Sequence, residues 1–270
     1  MSLRKRVIGL YVVVLVFAFG ISGCAFNPFF YYPDKRPVTL TDSLVEEIYL
    51  ESKSGNKVHT IFYKRETPIA TIFILHGNAR NLQGWSHTAR KLHDLGFQTF
   101  MMDYQGFGNS EGKPSHKNVI ADAQIAFDYL LNRKEVQSTK IIVLGFSLGG
   151  NLAVRIASDN ADKIDALAIE GAFTGHRAIA IGVGPRLLKF VPFLLAKNAI
   201  NGKKLIASID LPKLIIHSTE DKIIPYKMGQ DFYEHASEPR ELWTISGPHI
   251  RGLWLFEAEY VKKLEALITK

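Results

Sequence analysis

An unbroken apolar run, Ile141-Ile142-Val143-Leu144, leads directly into Gly145-Phe146-Ser147-Leu148-Gly149-Gly150, and helical spacing starts at Asn151. A run that is apolar at every position has no solvent-facing side, which is the pattern of a strand covered on both faces of a parallel sheet. The passage from strand to helix within a few residues demands a tight turn. Its glycines stand where side chains would collide with the flanking strand and helix. This one segment restricts the chain to an α/β architecture with helices layered on a buried sheet.

The rest of the chain repeats that pattern. Strand patterns cover Val45–Leu50, Val58–Tyr63, Ala70–Leu75, Gln98–Asp103, Lys140–Gly145, Ala166–Glu170, Lys213–His217 and Glu241–Ile245. Between them lie segments of helical spacing, for example Val119, Ala123, Ala126, Phe127, Leu130 and Leu131, and this alternation specifies a mostly parallel sheet. The first two strands have no helix between them and are expected to form an antiparallel edge. No internal repeat or low-complexity linker interrupts residues 44–270, so they read as one domain. The longest departure is residues 174–212, read as a small helical lid around the apolar run Pro185–Leu195 with its interleaved Lys and Arg.

The N-terminus has a separate logic. Arg4, Lys5 and Arg6 precede an uncharged run from Val7 to Phe26, the layout of an export signal. The run ends in Ile21-Ser22-Gly23-Cys24, which resembles the lipobox of bacterial lipoprotein signals. That resemblance implies cleavage of residues 1–23, acylation of Cys24, and a chain held outside the cytoplasm on a membrane. An uncleaved signal anchor is the alternative, because twenty uncharged residues can span a bilayer as a helix. Residues 24–43 then form a tether lying against the membrane or the domain. Ala25 follows the cysteine where an aspartate would favour inner-membrane retention, so the resemblance implies outer-membrane sorting where an outer membrane exists. Cys24 is also the chain's single cysteine, which excludes an internal disulfide.

Gly145-Phe146-Ser147-Leu148-Gly149 is G-x-S-x-G in strand–turn–helix context, the setting of a nucleophilic serine lifted above a sheet. Strand Ala70–Leu75 ends in His76-Gly77-Asn78-Ala79, and the next strand ends in Asp103-Tyr104-Gln105-Gly106-Phe107-Gly108-Asn109-Ser110. The G-x-G within that second loop fails as a dinucleotide site, since Glu111 occupies the third glycine position and no helix opens there. Further on, Asp221-Lys222-Ile223-Ile224-Pro225 follows the strand Lys213–His217, and Ser246-Gly247-Pro248-His249 follows the last strand. The chain order Ser, Asp, His with one helix and one strand between acid and base fits acyl-transfer chemistry.

Together these runs resemble the α/β-hydrolase superfamily over about residues 68–268, closest to its BEM46-like and serine-aminopeptidase-like members. The resemblance implies an α/β-hydrolase fold, a triad of Ser147, Asp221 and His249, and an oxyanion hole from the backbone N–H groups of Asn78 and Leu148. It implies that His76 orients its loop and that Asp103 braces it. Glu170, at the end of the strand before the lid, is the alternative acid. Pro248 departs from the glycine common in relatives and is expected to restrict Gly247 to extended geometry.

The chemistry so implied is two-step hydrolysis of an ester, thioester or amide, with no metal or organic cofactor. An apolar lid and a membrane tether favour a lipid or acylated substrate. Peptidase action is disfavoured because no acidic pair is evident to hold a free amine. A catalytically silent binding protein of the same fold, and an acyltransferase, are the rival classes. Nucleic-acid binding is excluded by the scattered placement of basic residues. The formal net charge of +7 includes Arg4 to Arg6, so a chain lacking residues 1–23, which hold no acidic residue, carries about +4. No histidine spacing such as H-E-x-x-H marks a metal site.

Overall fold

The computed structural model describes residues 30–176, 178–179 and 199–269. The signal segment 1–23, the lipidation candidate Cys24 and the apolar run 185–195 of the expected lid lie outside the described residues.

Eight strands form one sheet: β1 Val45–Glu51, β2 Lys57–Tyr63, β3 Thr71–Leu75, β4 Gln98–Met102, β5 Ile141–Phe146, β6 Ala166–Glu170, β7 Lys213–Ser218 and β8 Arg240–Ile245. Their spatial order is β1-β2-β4-β3-β5-β6-β7-β8. The strands β4, β3, β5, β6, β7 and β8 run parallel, while β2 is antiparallel to both β1 and β4. The expected antiparallel edge is therefore present, and β2 is the strand that joins it to the parallel sheet. Every residue of β3, β4, β5, β6 and β7 is buried, which matches their continuous apolar patterns.

Among the described residues seven α-helices accompany the sheet: α1 Leu82–Asp94, α2 His116–Leu131, α3 Leu148–Asp159, α4 Gly202–Ile206, α5 Lys227–His235, α6 Gly252–Leu255 and α7 Glu257–Ile268. The strand period of two divides the core. In β5, Ile141 and Val143 pack with Phe127 of α2 and Leu152 of α3, while Ile142 and Leu144 pack with Leu92 of α1 and Leu264 of α7. Helix α1 is capped by Asn81, whose side chain accepts the Gln83 amide at 3.1 Å, and α2 by Ser115, which accepts that of Asn118 at 3.1 Å.

Within the 174–212 span expected to be a lid, Gly175 bridges Asn201 and the Gly202 N–H donates to the Thr174 carbonyl at 2.8 Å. Helix α4 lies within the 174–212 span and follows this bridge directly. Among the described residues no helix is long and apolar enough to cross a membrane.

Phe73 is fully buried between Phe100 and Phe127, at ring separations of 6.1 and 5.5 Å. Phe73→Ala should cost about 3–5 kcal/mol in urea unfolding at unchanged m-value, against less than about 0.5 kcal/mol for the exposed Leu44→Ala. Equal small losses from both would contradict a close-packed sheet core at Phe73.

Candidate active site

The sequence segments singled out for chemistry all follow the C-terminal ends of parallel strands, and the sheet order brings those ends to one edge. Ser147 links β5 to α3 at φ +54° and ψ −114°, a backbone state that costs a non-glycine residue about 1–3 kcal/mol. The flanking glycines permit it. A Cβ on Gly149 would lie 2.0 Å from the Leu75 carbonyl oxygen, and one on Gly145 would lie 2.3 Å from that of Gly149. The collisions expected from the sequence are thus with β3 on one side and the first turn of α3 on the other.

Asp221 and His249 are brought together: His249 Nδ1 donates to Asp221 Oδ2 at 2.6 Å. The other carboxylate oxygen accepts the amides of Ile223 and Ile224, each at 2.8 Å. Burial alone would raise the Asp221 carboxyl, but the His249 hydrogen bond and these two amides outweigh it and hold it below the usual carboxylate range. Ser147 and His249 approach through Gly171. The Ser147 amide donates to the Glu170 carbonyl at 2.9 Å, and a Cβ on Gly171 would lie 2.9 Å from His249 Cε1. Among the described residues no hydrogen bond joins the Ser147 hydroxyl to the His249 ring.

Gly247 adopts φ +96°, so the expectation that Pro248 forces it into extended geometry is corrected. Proline narrows its predecessor chiefly by disfavouring the helical region, and a glycine escapes through positive φ. The turn is tied by the Gly247 amide to Glu220 Oε2 at 3.1 Å and by its carbonyl to Ser218 Oγ at 2.5 Å. Ile250, immediately after the histidine, also has positive φ, at +51°.

Glu170 stands apart from the Asp221–His249 pair. Its carboxyl is fully buried and accepts the Gly252 amide at 2.7 Å and the Tyr260 hydroxyl at 3.0 Å. It therefore anchors α6 and α7 beneath the His249 turn. Burial pushes its pKa up to about 7.

On the opposite side of Ser147, a Cβ on Gly77 would lie 3.5 Å from Ser147 Cβ, so the 76–79 loop packs against the serine. Leu148 is the first residue of α3, and its N–H has no acceptor within the helix. Among the described residues the Asn78 N–H likewise meets no acceptor, while its side chain does: Asn78 Nδ2 donates to the Phe30 carbonyl at 2.5 Å, and Oδ1 accepts the Tyr32 amide at 3.0 Å. His76 is buried with Nδ1 donating to the Gly77 carbonyl at 2.7 Å and Nε2 lying 3.2 Å from Asp103 Oδ1. Asp103 in turn accepts the Leu82 amide at the start of α1, at 3.0 Å.

Two features of the site escape the sequence reading. His217 is buried beside the acid, with Nε2 donating to the Ile224 carbonyl at 3.0 Å and lying 3.6 Å from Asp221 Oδ2. Burial holds its imidazole below the usual histidine range. Its signal was a position four residues before Asp221 at the end of β7. The second is a cavity of about 10 Å³ lined by Tyr31, His116, Leu148, Asn151, His176 and Ile200, among others. Burial and the neighbouring His116 push the His176 pKa down to about 3, so this ring is neutral at pH 7. Among the described residues no cluster of three or more His, Cys, Asp or Glu could hold a metal.

The raised pKa of Glu170 has a stability consequence. The unfolded carboxyl titrates near 4.5 and the folded one near 7, so between those values the folded protein binds more protons and loses stability as pH rises. Glu170→Gln removes this titration. Relative to the native chain, the variant should gain on the order of 3 kcal/mol on going from pH 4 to pH 8 in urea unfolding. A difference independent of pH would show that Glu170 does not titrate in that window.

Comparisons with known proteins bear on the family and the fold. The family model described as Serine aminopeptidase, S33 matches residues 66–207, just over half the chain. The protein YfhR of Escherichia coli (strain K12) is 30% identical over 93% of this chain and 90% of its own length. The alpha/beta hydrolase domain-containing protein WAV2 of Arabidopsis thaliana is 32% identical over 80% of this chain and 75% of its own. Among solved structures, the Pyrococcus furiosus esterase Pf2001 superposes with a TM-score of 0.68 at 19% identity, covering 87% of this chain and 98% of its own. Est1E from Butyrivibrio proteoclasticus, with ferulic acid bound, gives 0.68 at 22% identity over 83% of this chain and all of its own. These two likenesses establish the α/β-hydrolase fold. The chain belongs to the serine aminopeptidase S33 family of α/β hydrolases.

Proposed function

We propose that the chain is a membrane-tethered serine hydrolase cleaving an ester, thioester or amide of a lipid or acylated substrate through an acyl-enzyme on Ser147. The observation that carries this reading is the 2.6 Å bond from His249 to a carboxylate whose other oxygen is fixed by two amides, set next to a serine at φ +54°. In the first step the Ser147 oxygen adds to the substrate carbonyl while His249 Nε2 removes its proton. The carbonyl π electrons move onto oxygen, where the N–H groups of Asn78 and Leu148 receive them. Collapse breaks the bond to the leaving group, which takes the proton from His249. Water then repeats the sequence against the acyl-enzyme and frees Ser147. Asp221 keeps Nδ1 protonated throughout, so that Nε2 is the free base, and stabilises the imidazolium that forms.

The preference for membrane-borne substrates rests on chain length and surface chemistry. Phe30, whose carbonyl touches the Asn78 side chain, lies six residues after Cys24. Fully extended, that stretch reaches about 20 Å, so an acylated Cys24 holds the oxyanion loop within that distance of the lipid surface. Tyr32 beside that loop and Ile223 beside Asp221 are 63% and 57% exposed and give the rim apolar character. Three acyl chains on Cys24 make such anchoring stable, and the chain would lie outside the cytoplasm, at an outer membrane where one exists.

Turnover of aryl esters by the full-length protein should fall about 10⁴–10⁶-fold in Ser147→Ala and in His249→Ala, and about 10⁴-fold in Asp221→Asn. A Ser147→Ala variant retaining a tenth of the activity would dismiss the triad. In a lipoprotein-processing bacterium, Cys24→Ser should leave the precursor uncut and without acyl chains. Normal anchoring of an unprocessed Cys24→Ser chain would establish the signal-anchor alternative instead.

A further inference from the structure

One peptide unit carries both the Gly77 carbonyl and the Asn78 N–H, and rotating it would aim the carbonyl at the place proposed for the oxyanion. The carbonyl end is held from within the domain by His76 Nδ1 at 2.7 Å. Two residues on, the Ala79 carbonyl is held by Trp85 Nε1 at 2.9 Å. Between these two fixed points, and among the described residues, the hydrogen bonds of Asn78 are those of its side chain, and both run to backbone atoms of residues 30 and 32.

Those residues belong to a strap that crosses the same edge of the sheet. The Asp34 carbonyl accepts the Gly108 amide at 2.8 Å and Asn81 Nδ2 at 3.2 Å, and the Arg36 carbonyl accepts Asn81 Nδ2 at 2.8 Å. Val38 exchanges two bonds with the Asn109 side chain, each at 2.9 Å. The Tyr31 side chain is buried, and its hydroxyl bonds His116 Nδ1 at 2.9 Å, in the wall of the cavity beside Leu148. From Phe30 onward the segment expected to be a tether is therefore fastened to the β3–α1 and β4–α2 loops and to α2. A free linker would bury neither Tyr31 nor Val38, and would not pair its backbone amides with the side chains of two catalytic-edge loops.

We infer that residues 30–38 are a positioning element of the active site, acting through the Asn78 side chain to fix the 77–78 peptide in the orientation that presents the Asn78 N–H to the oxyanion. Asn78 then has two separate functions: its backbone amide meets the substrate, and its carboxamide transmits the position of the strap. The membrane anchor and the oxyanion hole become parts of one mechanical unit. This inference rests on the serine-hydrolase reading.

The test compares full-length native protein with Asn78→Ala, which keeps the amide and loses the clamp, and Tyr32→Pro, which removes the strap donor without touching Asn78. The readouts are kcat and KM on an aryl ester, affinity for an aryl boronic acid that forms a tetrahedral adduct on Ser147, and Tm. Loss of a whole oxyanion donor costs about 10²–10³ in rate, so a loosened one should cost about 10–100-fold in kcat for Asn78→Ala, with KM within about 3-fold. Boronate affinity should fall by the same factor as kcat. Tyr32→Pro should lose about 3–10-fold, and the double variant no more than Asn78→Ala alone, because both break one device. Asn78→Ala with kcat within about 2-fold of native, or kcat losses that track Tm while boronate affinity stays native, would overturn the inference. If the native protein neither turns over esters nor binds the boronate, the hydrolase reading fails and this inference falls with it. An active native protein with an indifferent Asn78→Ala rejects the inference alone.

Discussion

The close approach of α3 to β3 sets the terms for everything around the site. With Gly149 against the Leu75 carbonyl and Gly145 against the first turn of α3, the chain reverses from strand to helix over Ser147 at positive φ. Any larger side chain at either glycine would lift the helix off the sheet. Because β3 lies next to β5, the same approach brings the 76–79 loop against the serine, and because β6 lies on the other side, it brings Gly171 and the His249 ring. The strain at Ser147 persists because the packed layers on both sides leave no alternative path for the backbone.

Electrostatics complete what the backbone begins. Three buried acidic or imidazole groups surround the His249 turn, and burial and neighbours shift the protonation of each. The Asp221 carboxylate is kept ionised by His249 and two amides, while burial keeps His217 neutral as it supports the Ile224 carbonyl of the same loop. Glu170, buried between the Gly252 amide and Tyr260, carries its proton to higher pH than an exposed carboxyl would. Only one of the three therefore brings a full negative charge to the histidine at mildly acidic pH. That asymmetry separates Asp221, the acid proposed to orient His249, from the bracing Glu170, although both follow neighbouring strands.

The sequence showed the sheet clearly because its strands are buried on both faces, and continuous runs such as Ile141–Leu144 admit few other readings. The pairing of Asp221 with His249 was readable for a different reason: the roles proposed for them demand particular residue types at the ends of particular strands. Features that depend on three-dimensional closure were hidden. His217 reads as one more strand residue, and nothing local reveals that the next turn folds back over it. The strap could be read only as a tether lying against the membrane or the domain, since most of its bonds use its backbone groups, which have no residue code, against the side chains of Asn78, Asn81 and Asn109. Gly247 was misjudged by applying the rule for ordinary residues before proline to the one residue type that can take positive φ.

Whether Ser147 is activated is open to direct chemical measurement. Full-length protein would be treated with a fluorophosphonate, digested, and the phosphonylated peptide identified by mass. A serine with a working base and oxyanion hole displaces fluoride and forms a stable phosphonyl ester, whereas ordinary serines do not react. The expected result is a single adduct on the peptide containing Ser147, absent when the protein is first unfolded in urea. A folded protein that carries no adduct on Ser147, or carries it on another residue, would contradict the central assignment.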